Sequence, residues 1–291
     1  MPYPANDSSV AAREVFPGGE RVRVVETGPA SGFPIVLLHG WGGSAYNFRG
    51  ILPALGRSGF HAIAPDLRGH GWSDATNRER GAYSAPAMAE WTRRLLDELR
   101  IGRCVLVGQS IGGAIAMDAA SIMPDRVAAL VLFASIGFTN VRRVRLARGP
   151  AWLYPSFSPR WVVARVLRGI YGSRAQWSEH DVDEYWVALR RHGVVRSLMQ
   201  SAREFDFTPR DPSLLRFESP FVIRFGELDG LIPHSVAVRH ANLFRGADVA
   251  VLPGVGHVPA EEVPDEATRL IARVANEVRG QSSEIRETAD L

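Results

Sequence analysis

The stretch that most constrains this chain is a short turn in which an apolar strand passes directly into a helix of small residues. It runs from Cys104 to Ala116 and contains Gly-x-Ser-x-Gly at residues 108–112. The apolar residues before the pattern predict a buried strand, and the small residues after it favour a helix. Because no loop residues remain between the two elements, Ser110 is expected to adopt a positive φ.

This turn predicts a reactive serine. Glycine at Gly108 and Gly112 fits the sharp reversal, because a side chain at either position would collide as the helix folds back over the strand. The hydroxyl of Ser110 is then lifted clear of the sheet. The amide of Ile111 stands at a helix N-terminus, where free N–H groups favour an anion. An ordinary tight turn with an idle serine would match the same pattern, so the rest of the chain must distinguish the two.

Strands and helices alternate between residues 34 and 135. Strands are predicted by the apolar runs at residues 34–38, 61–64, 104–107 and 127–133. This order predicts an α/β fold with a mostly parallel central sheet and helices on both faces. Ligands bind such sheets at the carboxyl ends of the strands, where the serine turn lies. Residues 1–17 are expected to be a poorly ordered lead-in.

The alternation stops after residue 137, which predicts an insertion. Residues 138–213 contain no clean strand but hold four of the seven tryptophans and many arginines. We therefore predict a core α/β domain in two parts, residues 1–137 and 214–291, with a helical cap or lid at 138–213. The sheet is expected to resume with two strands near residues 221 and 248.

The aromatic residues of the insertion have two interpretations. They either roof a substrate pocket or form the small core of the insertion itself. Our candidates for substrate binding are Trp41, Gln109, Trp152, Trp161 and Trp186. The arginines likewise form a solvated face or contact an anionic group of the substrate.

A serine hydroxyl is a poor nucleophile near neutral pH and needs a base and an orienting carboxylate. The chain supplies both after Ser110. Asp229 follows the strand that ends at Gly226, and His257 follows the strand that ends at Leu252. We predict that Ser110, Asp229 and His257 are the catalytic residues.

Two other acids compete for the orienting role. Glu227 lies earlier in the same turn as Asp229, and Asp248 begins a strand, which is the wrong end of the sheet. The tetrahedral intermediate also needs donors for its oxyanion. We predict the backbone N–H groups of Ile111 and of Trp41, which lies in the glycine-rich loop after the first central strand. The Trp41 indole either lines the pocket or simply packs.

Composition narrows the class of protein. The chain has 291 residues, 46% hydrophobic and 22% charged, which is typical of a soluble globular protein. Its net charge is +3 and every basic residue apart from histidine is arginine, but no dense basic helix or stacking motif predicts a nucleic-acid partner. The single cysteine, Cys104, excludes an intramolecular disulfide. No spacing of His, Asp and Glu indicates a metal, so we expect neither metal nor cofactor.

The N-terminus lacks the charged and apolar regions of a signal peptide, and no apolar stretch is long enough to span a bilayer. We therefore expect a cytoplasmic protein without stable membrane insertion. Its expected partner is a small-molecule substrate, and it is expected to be a monomer or homodimer.

Together these motifs resemble the α/β-hydrolase superfamily, in the branch with a cap inserted after the strand that follows the serine turn. The resemblance covers nearly the whole chain and rests on residues 39–43, 66–74, 108–113, 226–229 and 254–257. It implies a serine hydrolase with a Ser-Asp-His triad. Haloalkane dehalogenases and epoxide hydrolases of similar fold carry an aspartate nucleophile, and Ser110 argues against both.

The resemblance leaves the substrate open. The expected reaction is cleavage of a carboxylic ester, or a similar acyl bond, of a small and largely apolar substrate through an acyl-enzyme. The alternative is hydrolysis of a carbon–carbon bond in a ring-cleavage-type diketone acid. A non-catalytic ligand receptor on the same fold is the alternative from another class, although a receptor needs no base behind its serine.

Overall fold

A single sheet organises the residues that the computed structural model describes, which are 3–4, 8–75, 79–140, 159–213, 215 and 217–289. Its strand order is β1-β2-β4-β3-β5-β6-β7-β8. The strands are, in chain order, β1 (Ala11–Val15), β2 (Val22–Thr27), β3 (Pro34–Leu38), β4 (His61–Pro65), β5 (Cys104–Gln109), β6 (Val127–Phe133), β7 (Phe221–Gly226) and β8 (Ala247–Leu252). The first two strands run antiparallel to their neighbours, and all other pairs are parallel.

Helices cover both faces of the sheet, as predicted. They are α1 (Leu52–Arg57), α2 (Ala85–Glu98), α3 (Ile111–Ile122), α4 (Arg160–Ile170), α5 (Glu179–Leu189), α6 (Val194–Glu204), α7 (His234–Ala241), α8 (Pro259–Glu262) and α9 (Pro264–Ala289). Short 3-10 helices lie at Pro17–Gly19, Ala45–Phe48 and Pro124–Arg126. Helices α2, α3 and α7 pack on one face, and α1 and α9 pack on the other.

The central strands are buried on both faces, which explains their continuous apolar sequence. Adjacent side chains point to opposite faces, so Leu37 joins the core under α1 and α9 while Leu38 joins the core under α2 and α3. The prediction for the N-terminal residues is partly wrong. Residues 11–15 form the edge strand β1, whose pairing with β2 rests on backbone hydrogen bonds and buries only Val15, so the sequence carries no apolar alternation there.

The turn between β5 and α3 has the predicted geometry. Ser110 has φ 55° and ψ −118°, and Ile111 begins α3 immediately after it. A Cβ on Gly108 would lie 2.6 Å from the backbone nitrogen of Gly113, and a Cβ on Gly112 would overlap the carbonyl oxygen of Leu38. Backbones therefore approach so closely on both sides of the serine that only glycine fits.

The segment between β6 and β7 is helical where the structure describes it. Helices α4, α5 and α6 lie there, and no strand occurs among residues 138–140 and 159–213. The division into a core and a cap remains a prediction. None of the helices in the described ranges is both long and apolar enough to cross a membrane.

The close backbone contact at the turn predicts a stability effect. We expect Gly112→Ala to lower the free energy of unfolding by about 1–3 kcal/mol, because the new methyl group is forced against the backbone of β3. Urea unfolding followed by tryptophan fluorescence measures the change. Gly102→Ala is the matched control, since a Cβ there meets nothing within 4 Å. Equal stability of the two variants would contradict this packing.

Candidate active site

The three predicted catalytic residues meet at the carboxyl edge of the sheet. Ser110 follows β5, Asp229 follows β7 and His257 follows β8. His257 Nε2 lies 3.0 Å from Ser110 Oγ, and His257 Nδ1 lies 2.8 Å from Asp229 Oδ2. All three residues are more than nine-tenths buried, so water does not compete strongly for these hydrogen bonds. The imidazole thus bridges residues that are far apart in the sequence.

Backbone hydrogen bonds fix two of these groups. The Ser110 amide donates to the Phe133 carbonyl at 3.0 Å, which ties the strained residue to β6. Asp229 Oδ1 accepts from the amides of Leu231 and Ile232, at 2.8 and 2.9 Å. The other oxygen of the carboxylate is therefore left for the imidazole. An ionised carboxylate only accepts, so Nδ1 carries the proton and Nε2 is free to accept one from the Ser110 hydroxyl.

The competing acids lie elsewhere. Glu227 Oε2 accepts from the amide of Gly254 at 2.8 Å, and its side chain is exposed. Asp248 forms an ion pair with Arg224 at 2.7 Å, near the start of β8. Of the three acids considered, only Asp229 contacts His257.

The two predicted oxyanion donors flank the serine. The Ile111 amide is the first of α3, and Trp41 follows Gly40, where a Cβ would lie 3.3 Å from Ser110 Cβ. Within the described ranges, neither amide donates to a protein acceptor, which leaves both free for an anion. The Trp41 indole donates to the Leu198 carbonyl and to Ser201 Oγ, at 3.1 and 3.0 Å, so it also attaches α6 to this loop.

The residues predicted to bind substrate differ in their burial and in what they pack against. Gln109 is buried at the end of β5, and its side-chain oxygen has no hydrogen-bond partner in the described part of the chain. Trp186 packs with side chains of α4 and α5, whereas Trp161 is 67% exposed. Trp152 lies outside the described residues. Contact with substrate remains a prediction for all of them.

The arginines of the helical segment have several partners. Arg160 pairs with Glu179 and Asp183 at 2.6 and 2.5 Å, and the guanidinium of Arg168 lies 5.7 Å from the Trp177 ring centre. Four further arginines considered as anion contacts lie outside the described residues: Arg142, Arg143, Arg145 and Arg148.

A buried polar cluster that sequence reasoning missed fastens the helical segment to the core. Glu261 accepts hydrogen bonds from Tyr185, Asn47 and Arg49, at 2.5, 2.6 and 2.6 Å. Arg49 also pairs with Asp181 of α5 at 2.6 Å. Local sequence carries no signal for such a cluster, because its members come from distant parts of the chain. The neighbouring Glu262 was missed for the same reason.

Two buried histidines, His39 and His70, lie beside the glycine-rich loop. His39 Nε2 accepts from the Leu67 amide at 2.9 Å, and burial lowers the pKa of His39 to about 4. Burial and the nearby His39 lower the pKa of His70 to about 3. Across the described ranges, no group of three or more His, Cys, Asp or Glu residues is arranged to hold a metal ion.

Fold and site together define an α/β hydrolase, since the acid and the histidine follow the serine turn in chain order at one edge of a mostly parallel sheet. The family model described as alpha/beta hydrolase fold matches residues 34–264, and the chain belongs to this family. It is an enzyme of the hydrolase type.

The proteins that are similar to this chain have names that describe different activities. The chain is 31% identical over 255 residues to the dihydrolipoyllysine-residue acetyltransferase component of the acetoin cleaving system of Pseudomonas putida, covering 87% of this chain and 66% of that protein. It is 28% identical to a haloalkane dehalogenase of Mycobacterium marinum, covering 93% and 94%. The structure of 2-hydroxy-6-oxo-6-phenylhexa-2,4-dienoate hydrolase from Rhodococcus sp. strain RHA1 superposes with a TM-score of 0.79 at 22% identity, covering 91% and 98%.

The depressed pKa of His39 predicts a pH dependence of stability. Between pH 6.5 and about 4, the unfolded state binds a proton that the folded state does not bind. The free energy of unfolding therefore falls as the pH falls through this window. We expect His39→Gln to reduce this slope, by up to about 1.4 kcal/mol per pH unit. Urea unfolding at several pH values measures it, with the exposed His192→Gln as control. An unchanged slope in His39→Gln would contradict the assignment.

Proposed function

We propose that the protein is a serine hydrolase that cleaves a carboxylic ester, or a similar acyl bond, of a small and largely apolar substrate. The observation that carries this proposal is the pair of hydrogen bonds made by His257, at 3.0 Å to Ser110 Oγ and at 2.8 Å to Asp229 Oδ2. A serine that meets a neutral imidazole, itself oriented by a carboxylate, is an activated nucleophile.

The first half-reaction forms an acyl-enzyme. Ser110 Oγ attacks the carbonyl carbon while its proton passes to His257 Nε2, and the carbonyl oxygen becomes an oxyanion. Asp229 holds the imidazole in the correct tautomer and stabilises the imidazolium. When the tetrahedral intermediate collapses, the bond to the leaving alcohol breaks and His257 returns the proton to the departing oxygen.

The second half-reaction releases the acyl group. His257 takes a proton from water, whose oxygen attacks the acyl carbon, and the bond to Ser110 Oγ then breaks as the serine regains its proton. In both half-reactions the oxyanion accepts hydrogen bonds from the amides of Ile111 and Trp41. Their lack of protein acceptors in the described ranges supports this role.

Two alternative functions predict different experimental results. A carbon–carbon bond hydrolase would turn over a ring-cleavage-type diketone acid in preference to short p-nitrophenyl esters. A ligand receptor on this fold would turn over neither and would resist labelling by a fluorophosphonate. Steady-state assays with both substrate classes, together with fluorophosphonate labelling of Ser110, therefore separate the three functions. Rapid labelling with preferred turnover of the esters is the result we expect.

Removal of the nucleophile is the first test. We expect Ser110→Ala to lower kcat for a p-nitrophenyl ester by about a thousandfold or more, because alanine has no hydroxyl to attack the carbonyl carbon and carry the acyl group. Circular dichroism should show an intact fold. Ser121→Ala, an exposed serine near the other end of α3, is the control and should leave kcat unchanged. A loss of less than tenfold in Ser110→Ala would remove the serine from the mechanism.

The role of His257 as the base predicts how kcat/KM depends on pH. Only a neutral imidazole can take the serine proton, so kcat/KM is expected to rise between pH 5 and 8. Initial rates with one ester across this range measure the profile, and tryptophan fluorescence checks that the enzyme stays folded at the acidic end. A flat profile would contradict a histidine base.

A further inference from the structure

The loop that carries His257 is held against the helical segment by its own backbone. The His257 amide donates to the carbonyl of Ile170, the last residue of α4, at 2.7 Å. The imidazole is therefore positioned partly by a residue from the segment between β6 and β7. The side-chain bonds to Ser110 and Asp229 do not by themselves explain how this loop is fixed.

One buried carboxylate accepts hydrogen bonds from backbone amides on both sides of this contact. Glu262, which is 6% exposed, accepts from the amide of Gly256 at 2.9 and 3.0 Å and from the amide of Val258 at 3.2 Å. These two residues flank His257. Glu262 also accepts from the amide of Gly172, in the connection that follows α4, at 2.8 Å. Three backbone donors from two loops therefore converge on one side chain.

The two loops are in direct backbone contact at this point. A Cβ on Gly172 would lie 2.5 Å from both the Gly256 nitrogen and the Gly254 oxygen, and a Cβ on Gly256 would overlap the Ile170 oxygen. Glycine at both positions lets the connection after α4 lie directly on the histidine loop. Burial raises the pKa of Glu262, and its backbone donors oppose that rise.

We propose that Glu262 is a positioning residue for the base: by binding the amides on either side of His257 together with the amide of Gly172, it holds the imidazole in line with Ser110. This rests on the proposed function, in which His257 is the base. Glu262 does not touch the reacting atoms. Its effect passes through the backbone of the loop, and a displacement of about 1 Å at a catalytic group can cost about a hundredfold in rate.

Two other acidic residues near the histidine loop, Glu261 and Glu227, make different contacts. Glu261, its neighbour in α8, bonds instead to Tyr185, Asn47 and Arg49. Glu227 accepts one amide of the same loop, that of Gly254, but from the exposed side. Glu227 therefore offers a matched control, because it is of the same residue type and also binds an amide of the histidine loop.

The test replaces the carboxylate by an amide of the same shape. Glu262→Gln retains one acceptor oxygen but turns an NH₂ group toward a backbone N–H, so the loops lose a shared acceptor. We expect kcat for a p-nitrophenyl ester to fall by about 10- to 100-fold, with KM changed by less than about threefold. Glu227→Gln should leave both constants unchanged. An unchanged kcat in Glu262→Gln would overturn the proposal.

A double-mutant cycle distinguishes positioning of the base from a merely structural role. In a His257→Ala background, where there is no imidazole to position, we expect Glu262→Gln to cause no further loss of residual esterase activity. A further loss equal to that in the wild-type background would overturn the proposal. If His257→Ala itself retains full activity, the proposed function fails as well, whereas a large loss there with none in Glu262→Gln rejects the positioning role alone.

A second variant covers the case in which Glu262→Gln does not fold. Gly172→Ala leaves every charged group in place but separates the two loops by a methyl group. Thermal unfolding shows whether each variant is native at the assay temperature. We expect a loss of kcat of at least about tenfold in Gly172→Ala with KM nearly unchanged. A wild-type kcat in a folded Gly172→Ala would contradict the coupling of the two loops.

Discussion

The hydrogen bonds of the His257 imidazole join three loops that lie at the same edge of the sheet. His257 can reach both Ser110 and Asp229 because β5, β7 and β8 are parallel and end at the same side of the molecule. The serine is brought into reach by a backbone conformation that L-residues rarely adopt. Such strain persists only where the surroundings over-determine it. Here the strained residue is held by a bond to β6 and by a helix that begins at the next residue.

Close backbone contact is the means by which these loops are held. Gly112 packs on the carbonyl of Leu38, which brings the start of α3 against β3. On the other side of the site, Gly226 and Gly172 both pack on the backbone of Gly256, next to the histidine. In each case a side chain would separate two backbones that the geometry requires to touch. The glycines are thus part of the framework for the site, although they supply no reactive group.

Buried polar groups connect the helical segment to this framework. Glu261 and Asp181 share Arg49, and the hydroxyl of Tyr185 adds a further bond to Glu261. Buried ion pairs of this kind contribute little net stability, because desolvation offsets most of the Coulomb attraction. Their geometric demands are strict, since every buried donor and acceptor needs its partner. The cluster therefore attaches α5 to the core next to α8, the short helix that carries Glu262.

Local pattern alone determined the order of strands and helices, the strained serine turn and the chain order of serine, acid and histidine, because each depends on residues close in sequence. The edge strand β1 escaped prediction, since its pairing rests on backbone bonds and its side chains are mostly exposed. The sequence favoured Asp229 over Glu227, and the structure places Asp229 Oδ2 2.8 Å from His257 Nδ1. Only tertiary structure decided that Glu262 binds the amide of Gly172, ninety residues away. That contact depends on how loops from distant strands pack, and no spacing along the chain encodes it.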